Sequence, residues 1–367
     1  MDWNKGYKAN YYIKTVDPVT WRDLETYDLT GGNISRSLGS LQETASVNMV
    51  SIPDGTEAWI RIYLDARQGM DGERQAVFTG IMSAPARDWQ GRLISHRCEC
   101  YSVLKPASDV KLRRGWYAPA GMDGAQIAAE LLSVGAAPVE YAEAAPALLS
   151  SIIAEDNETN LTMAEKIVDS IDWRIRINGD GVISIEPKET SPRATFDSTQ
   201  NDIVELSVSD RRDMFNCPNV FMATADDLTA IARDDDPESP LSTVSRGREV
   251  WMHENNCKLS ENESIAQYAM RRLKEEQAPS HDVSYARRFY PEVTVGDAVR
   301  INLPAQEISG VFRIRSQQIE IGYGARTTEE AVEAHAHPDG KCLFARLSRQ
   351  ERDPSCNTYQ ALLFYAP

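Results

Sequence analysis

Apolar and polar residues alternate with a period of two through much of the first hundred positions. In residues 58–67, AWIRIYLDAR, Ile60, Ile62 and Leu64 oppose Trp59, Arg61 and Tyr63, so one strand face is apolar and the other mixed. The run before it, SVNMVSIP at 46–53, is set apart by Asp54-Gly55-Thr56-Glu57, which reads as a hairpin-like turn. Residues 76–105 add two further strands around Trp89-Gln90-Gly91. Short strands at this density predict a barrel or a sandwich rather than alternating β and α units.

At Pro106 the period changes. Asp123 and Gln126 form a capping-box pattern, since carboxylate and amide can each satisfy an orphan backbone donor, and Ile127, Leu131 and Val134 follow at helical spacing. A second helix is expected from Leu161 to Ile171, with Leu161, Ala164, Ile167, Val168 and Ile171 on one stripe. Trp173, Ile175 and Ile177 then alternate, Gly179-Asp180-Gly181 turns the chain, and Ile183 and Ile185 return. From about residue 200 the text is β-rich again, with strands expected at 202–210, 219–225 and 297–304. In 310–322 the apolar positions shift from even, Phe312 and Ile314, to odd, Ile319 and Ile321. A strict period of two cannot keep both pairs on one face, so a bulge or break is expected near Ser316-Gln317. One helix lies between these strands, with Ser260 to Glu263 as its capping box and Ile265, Tyr268, Ala269 and Leu273 as its buried stripe.

The expected fold class is therefore α+β, mainly β. The expected segments are 1–107 (β), 108–200 (an inserted helix-plus-hairpin α+β domain), 201–328 (β with one helix) and 329–367 (a C-terminal extension). The two β blocks suggest a loose duplication.

Composition narrows the function classes. The 367 residues hold 42% hydrophobic and 26% charged positions, an ordinary globular mix. No apolar run is long enough to span a membrane, and the N-terminus lacks a signal-peptide core, so synthesis in the cytosol is expected. Cys98, Cys100, Cys217, Cys257, Cys342 and Cys356 are too sparse for a disulfide scaffold and are expected to be reduced; Cys98 and Cys100 would share one strand face. A net charge of −16 disfavours a nucleic-acid reader, which needs a basic face.

The chemistry-bearing stretches are few. IARDDDPESP puts Asp234, Asp235, Asp236 and Glu238 between apolar text and two prolines. A calcium loop needs glycine where Pro237 stands, and a glycosidase pair needs carboxyls facing each other across a sugar. A solvated connector is the favoured reading, with a looser magnesium site as the alternative. His335, His337, Asp339 and Cys342 are metal-ligand types at close spacing; the competing reading is an exposed loop around Pro338-Asp339-Gly340. His96 with Cys98 or Cys100 lacks an orienting group, and nucleophile-elbow and phosphate-loop patterns are absent. No catalytic residue, cofactor or metal is assigned.

The order of several motifs carries a resemblance. The acidic element leads into Gly247-Arg248; then come SIAQYAMRRLKEE at 264–276, VTVGDAVRINLP at 293–304 and ISGVFRIRSQQIEIG at 308–322. Upstream stand NETNLTMAEKIVDSIDWRIRINGDGVISIEP at 157–187 and DLTGGNISRSLGSLQETASVNMV at 28–50. Over roughly residues 10–325 this series resembles the baseplate or tail-tip hub proteins of tailed bacteriophages and phage-like contractile injection particles. The resemblance implies two tail-tube-like β-barrels per chain and a homotrimer forming a pseudo-sixfold ring. It implies as partners the tail tube or tube-initiator protein, a spike or tip protein, other baseplate proteins and the tape measure protein. The location it implies is the virion tail, assembled in the host cytoplasm. DNA would pass in transit without specific binding: three copies at −16 each carry −48, which repels a polyanion. On this reading the acidic loop sits at the lumen or rim. The alternative is a cell-wall carbohydrate-binding or carbohydrate-cleaving tail protein with Trp59, Trp89, Trp116 and Trp173 as sugar platforms, although the settings of most of them point to the core.

Overall fold

A computed structural model of the chain describes residues 1–39, 41–53, 57–83, 86–90, 93–142, 145–188, 191–199, 204–212, 214–225, 228–255, 257, 264–277, 281–322, 326–333 and 359–365. It is mainly β, with five helices among the described residues. The chain divides into two compact units, Met1–Ser209 with Ser284–Ala345, and Asp210–Val283 with Arg346–Pro367.

The first unit opens with β1 (Lys8–Val16), β2 (Asp23–Ser37), β3 (Glu43–Met49), β4 (Ala58–Gln68), β5 (Asp71–Met82), β6 (Ala86–Gln90) and β7 (Leu93–Ser102). Their ladders run β1-β4-β5-β7-β3-β2, and β2 pairs back onto β1. Six strands therefore close a ring, which removes the free edges that an open sheet would expose. Alternation fills the inside: Ile60, Ile62 and Leu64 on β4, Val47 and Met49 on β3, and Ile13 and Ile34 all lie in the core. Burying each such side chain contributes roughly 1.5–3 kcal/mol. The expected hairpin across 54–57 is corrected here: β3 pairs with β2 and β7, while β4 pairs with β1 and β5. Both ends of that connection are strands, but neighbours in sequence are not neighbours in the sheet.

The insert comprises α1 (Lys105–Asp109), β8 (Tyr117–Ala118), α2 (Gly124–Leu132), β9 (Val139–Tyr141), β10 (Ile152–Ile153), α3 (Asn160–Ser170), β11 (Trp173–Ile177) and β12 (Ile183–Pro187). Asp123 caps α2 by accepting from Gln126 N at 3.1 Å, but the Gln126 amide turns to Glu130 instead of closing the box. Because α2 stops at Leu132, Val134 falls outside it and is exposed, contrary to the helical spacing. The α3 stripe holds as expected: Leu161, Ala164, Ile167, Val168 and Ile171 are all buried, and Thr159 caps the helix. β11 and β12 form the hairpin, with β9 added in parallel beside β12.

The remaining elements are β13 (Ala194–Asp197), β14 (Val204–Arg212), β15 (Val220–Ala225), β16 (Leu228–Asp234), α4 (Thr243–Arg246), β17 (Trp251–Asn255), α5 (Ile265–Gln277), β18 (His281–Arg288), β19 (Ala298–Leu303), β20 (Ile308–Ile321), β21 (Arg326–Glu333) and β22 (Tyr359–Tyr365). Six of them form a second sheet in the order β13-β19-β20-β21-β18-β14. β20 is long enough to serve both sheets. Its first half pairs with β19 and its second half, Ser316–Ile321, pairs with β2 of the closed ring. The expected bulge is present between Ile314 and Ser316. It lets Phe312 and Ile314, then Gln317, Ile319 and Ile321, all point inward.

The second unit is a sheet in the order β17-β15-β16-β22 with α5 on one face. Ala223, Ala225, Ala230 and Ala232 make that face shallow, so Ile265, Tyr268, Ala269 and Leu273 of α5 pack closely onto it. The sequence grouped 219–225 and this helix with the strands after 297; the structure divides them. A four-strand sheet covered by one helix has its own core, and periodicity does not report which core a strand joins. The observed α5 cap is Ser264, whose Oγ accepts from Gln267 N at 3.3 Å while Gln267 Oε1 accepts from Ser264 N at 3.0 Å. The expected box at Ser260 and Glu263 lies outside the described residues. So do His335, His337, Asp339 and Cys342.

Candidate functional site

Charged residues occupy inward positions in four strands of the first unit. Glu43 falls in line with Ala45, Val47 and Met49 on β3, Arg36 with Ile34 on β2, Arg287 with Tyr285 on β18, and Glu329 with Ala331 on β21. They meet in one chain of contacts. Arg36 Nε lies 3.2 Å from Glu43 Oε2, its Nη1 donates to Gln317 Oε1 at 2.8 Å, and its Nη2 donates to the Val77 carbonyl. Gln317 Nε2 donates to Glu329 Oε1 at 2.6 Å, and Arg287 binds both Glu329 oxygens at 2.8 and 2.5 Å. The row ties the closed ring to the second sheet beside the β2–β20 ladder. Paired and hydrogen-bonded charges are tolerable in such a place, whereas single ones are not.

Burial pushes the Glu43 carboxyl up to about 7 from an ordinary 4.5, with Arg36 only partly opposing it. The folded protein therefore holds a proton that the unfolded chain releases near pH 4.5. Stability falls as pH rises from about 4.5 to 7 and is level on either side. Compared with a Glu43→Gln variant at each pH, the parent should lose about 3 kcal/mol across that window, read from urea unfolding curves. A pH-independent difference would contradict this.

A second cluster docks the insert. Asp297 is buried and accepts from Thr294 N at 3.0 Å. Three guanidinium groups face it: Arg174 at 2.9 Å, Arg193 at 3.4 Å and Arg176 at 3.5 Å. Glu186 takes Arg174 at 2.6 Å. At its tip, the insert hairpin touches the ring by backbone. Thr79 Oγ1 donates to Gly179 O at 2.7 Å, and both Arg61 Nη2 and Trp21 Nε1 donate to Asp180 O, at 2.9 and 3.0 Å. This explains the mixed face of β4, since Arg61 is buried beneath the hairpin. Beside Arg36, Arg176 and Arg193 opens a cleft of about 530 Å³, closed on one side by Asn178 and Gly179 and on another by Phe289.

A Cβ at Gly179 would stand 1.8 Å from the Ala76 carbonyl oxygen, a backbone atom that cannot swing away. Gly179→Ala should therefore lift the hairpin off the ring and cost about 1–3 kcal/mol, seen as faster tryptic cleavage within residues 170–190. Unchanged cleavage would show that the docking is not tight.

The acidic stretch connects β16 to α4, and within it Asp234, Asp235 and Asp236 build a turn. Asp234 ends β16 and is 1% exposed. Its Oδ1 accepts from Asp236 N at 3.1 Å, and its Oδ2 accepts from Ser239 Oγ at 2.7 Å and Gln277 Nε2 at 3.0 Å. Asp235 accepts from Arg233 Nε at 2.7 Å and from the Thr243 hydroxyl. Asp236 accepts from Glu238 N at 2.9 Å, and Glu238 itself is exposed. The Asp234, Asp235 and Asp236 carboxylates are engaged by these donors. Among the described residues, no group of three His, Cys, Asp or Glu is arranged to hold a metal ion. Asp234→Ala removes the acceptor that three donors share and should cost about 1–3 kcal/mol, with calcium or magnesium leaving parent and variant curves unmoved. A cation-dependent parent curve would revive the metal.

Asn219 organises the far end of this turn. It is fully buried, donates to Leu241 O at 3.1 Å and Arg248 O at 2.9 Å, and accepts from Val250 N at 2.7 Å. Gly247, at φ 60°, ends α4 between these contacts, which accounts for the Gly247-Arg248 landmark. Cys98 and Cys100 share the buried face of β7, and burial pushes Cys98 up to about 11 and Cys100 higher, so neither is a nucleophile at neutral pH. Trp173 is core, while Trp59 and Trp116 pack against the insert's core. Trp89 is 65% exposed.

This arrangement of a closed six-strand ring, a six-strand sheet and a helix-plus-hairpin insert has a fold similar to that of solved phage tail proteins. In particular, the chain aligns with the tail protein from Neisseria meningitidis MC58 at TM-score 0.62 and 16% identity, over 88% of this chain and 97% of that one. The prophage MuSo2 43 kDa tail protein from Shewanella oneidensis aligns at 0.61 and 12%, over 89% and 98%. A chain of the Francisella PdpA-VgrG complex aligns at 0.54 and 7%, over 96% of this chain and 60% of that one. No family model matches the sequence, and no curated protein matches it. The resemblance read from the order of motifs is met at the level of the fold.

Proposed function

We propose that this chain is a non-enzymatic structural protein of a phage-type tail, a baseplate hub that joins the tail tube to the tip or spike. The observation that carries the reading is the β2–β20 ladder, which sets two six-strand β modules side by side in one subunit. Three copies would then present six modules, matching a sixfold tube to a threefold tip. The acidic balance suits a conduit through which DNA slides without sticking. Partners on this reading are the tube or tube-initiator protein, the tip or spike protein, neighbouring baseplate proteins and the tape measure protein.

Mass photometry at micromolar concentration, alone and with the tube protein, tests it. Trimers, or trimer-containing assemblies with the tube protein, are expected. A chain that stays monomeric in both conditions overturns the reading.

A further inference from the structure

The second unit is completed by a segment from far along the chain. β15, β16 and β17 form a three-strand sheet in which β15 is central, leaving one edge of β16 open. β22 fills that edge antiparallel, in an unbroken register of seven pairs from Leu228↔Tyr365 to Asp234↔Tyr359. Its sequence, YQALLFY, has the apolar, uncharged, proline-free character of a segment that pairs readily with any exposed strand edge. β21, the preceding described strand, belongs to the other unit and ends at Glu333, so 25 residues separate it from Tyr359. Fully extended, at roughly 3.3 Å per residue, a segment of that length can reach about 80 Å.

We propose that the open edge of β16 is a strand-acceptor site, and that in the assembled ring it takes residues 359–365 of a neighbouring copy of this chain. The inference rests on the ring reading above. Cis and trans addition make the same seven pairs, so exchange between copies forfeits no contact. Once other surfaces hold the copies together, a neighbour's β16 competes with the chain's own at comparable effective concentration, and the exchanged strand ties subunits by main-chain bonds. The register specifies the interface: Ala230 opposite Leu363, Ile231 opposite Leu362 and Ala232 opposite Ala361. A monomer keeps its own strand, and a ring exchanges it.

The test uses the full chain in a background with Cys217, Cys257, Cys342 and Cys356 changed to serine, first checked for parental assembly. Thr229 and Phe364 are register partners, and opposed antiparallel positions lie within disulfide reach. Chains carrying only Thr229→Cys are mixed with chains carrying only Phe364→Cys, assembled with the tube protein, oxidised and digested. A 229–364 disulfide between chains in up to about half of the subunits is expected, and the doubly substituted chain should give covalent trimers. Assembled rings in which the double variant closes only within one chain, or forms no 229–364 bond, overturn strand exchange and leave the ring reading intact. Chains that remain monomeric with tube protein, and cross-link only internally, overturn both.

Discussion

Replacing Glu329 with alanine should lower the stability of the first unit by about 3–5 kcal/mol, the largest single-residue effect expected in this chain. Arg287 and Glu329 are both fully buried and joined by two hydrogen bonds. Burial works against the Arg287 charge, and the facing carboxylate more than offsets it, so the guanidinium is held above its ordinary pKa. Without Glu329 that charge loses its carboxylate partner and keeps neutral contacts, among them the Arg288 carbonyl at 2.8 Å and the Phe196 ring at 4.7 Å. Gln317 Nε2 is left with a 3.4 Å contact to the Val293 carbonyl. The cost is thus mainly that of an uncompensated charge, not the net worth of the pair. This makes a second outcome decisive: Arg287→Met combined with Glu329→Met should recover most of the loss, because an apolar pair needs no partner. Urea midpoints followed by a probe within the ring would show this. A double variant as weak as the single one would mean that packing, not charge, sets the effect.

Much of this architecture is written in the period of the text. The α3 stripe, the β11–β12 hairpin and the bulge after Ile314 follow from where Leu161, Trp173 and Ile319 fall, because each is a local consequence of side-chain direction. Strand partnership is not local. The text around Asp54 reads as a hairpin, yet β3 and β4 reach different neighbours. The strands after 297 likewise join a core built from residues of the first hundred positions, through Ile319 and Ile321. Phe221 and Phe312 look alike as sequence but belong to different units.

The site residues were legible in a different sense. The four clustered acids stand out by type, and three of them, Asp234, Asp235 and Asp236, hold up a turn. Glu43, Arg36 and Glu329 do not stand out, although each breaks an inward-facing apolar row, which is the available signal for a buried polar contact. Asp297 was visible only as half of a Gly-Asp landmark. Its partners come from the insert and from Arg193, more than a hundred positions upstream, so no window of sequence contains the cluster.

Asp297→Ala should cost about 3 kcal/mol or more and should loosen the insert from the second sheet. The carboxylate is the common partner of Arg174, Arg176 and Arg193 and also caps Thr294 N. Removing it leaves guanidinium groups converging on an empty position. Arg174 keeps Glu186, but Arg176 loses the main carboxylate that opposes its desolvation, which already depresses its pKa. Asp297→Asn can still accept from Thr294 N, so its loss should be smaller than that of the alanine variant; the difference between the two isolates the cap from the charge. Adding Arg176→Ala to Asp297→Ala removes one repelling group and should restore part of the stability, a coupling that independent sites would not show. Tryptic cleavage at Arg174 and Arg176, slow in the parent, should quicken in Asp297→Ala and slow again with Asp297→Ala/Arg176→Ala at the remaining site. If the double variant is simply the sum of two losses, Asp297 acts as a turn cap alone and the arginines are held by the packing of the hairpin.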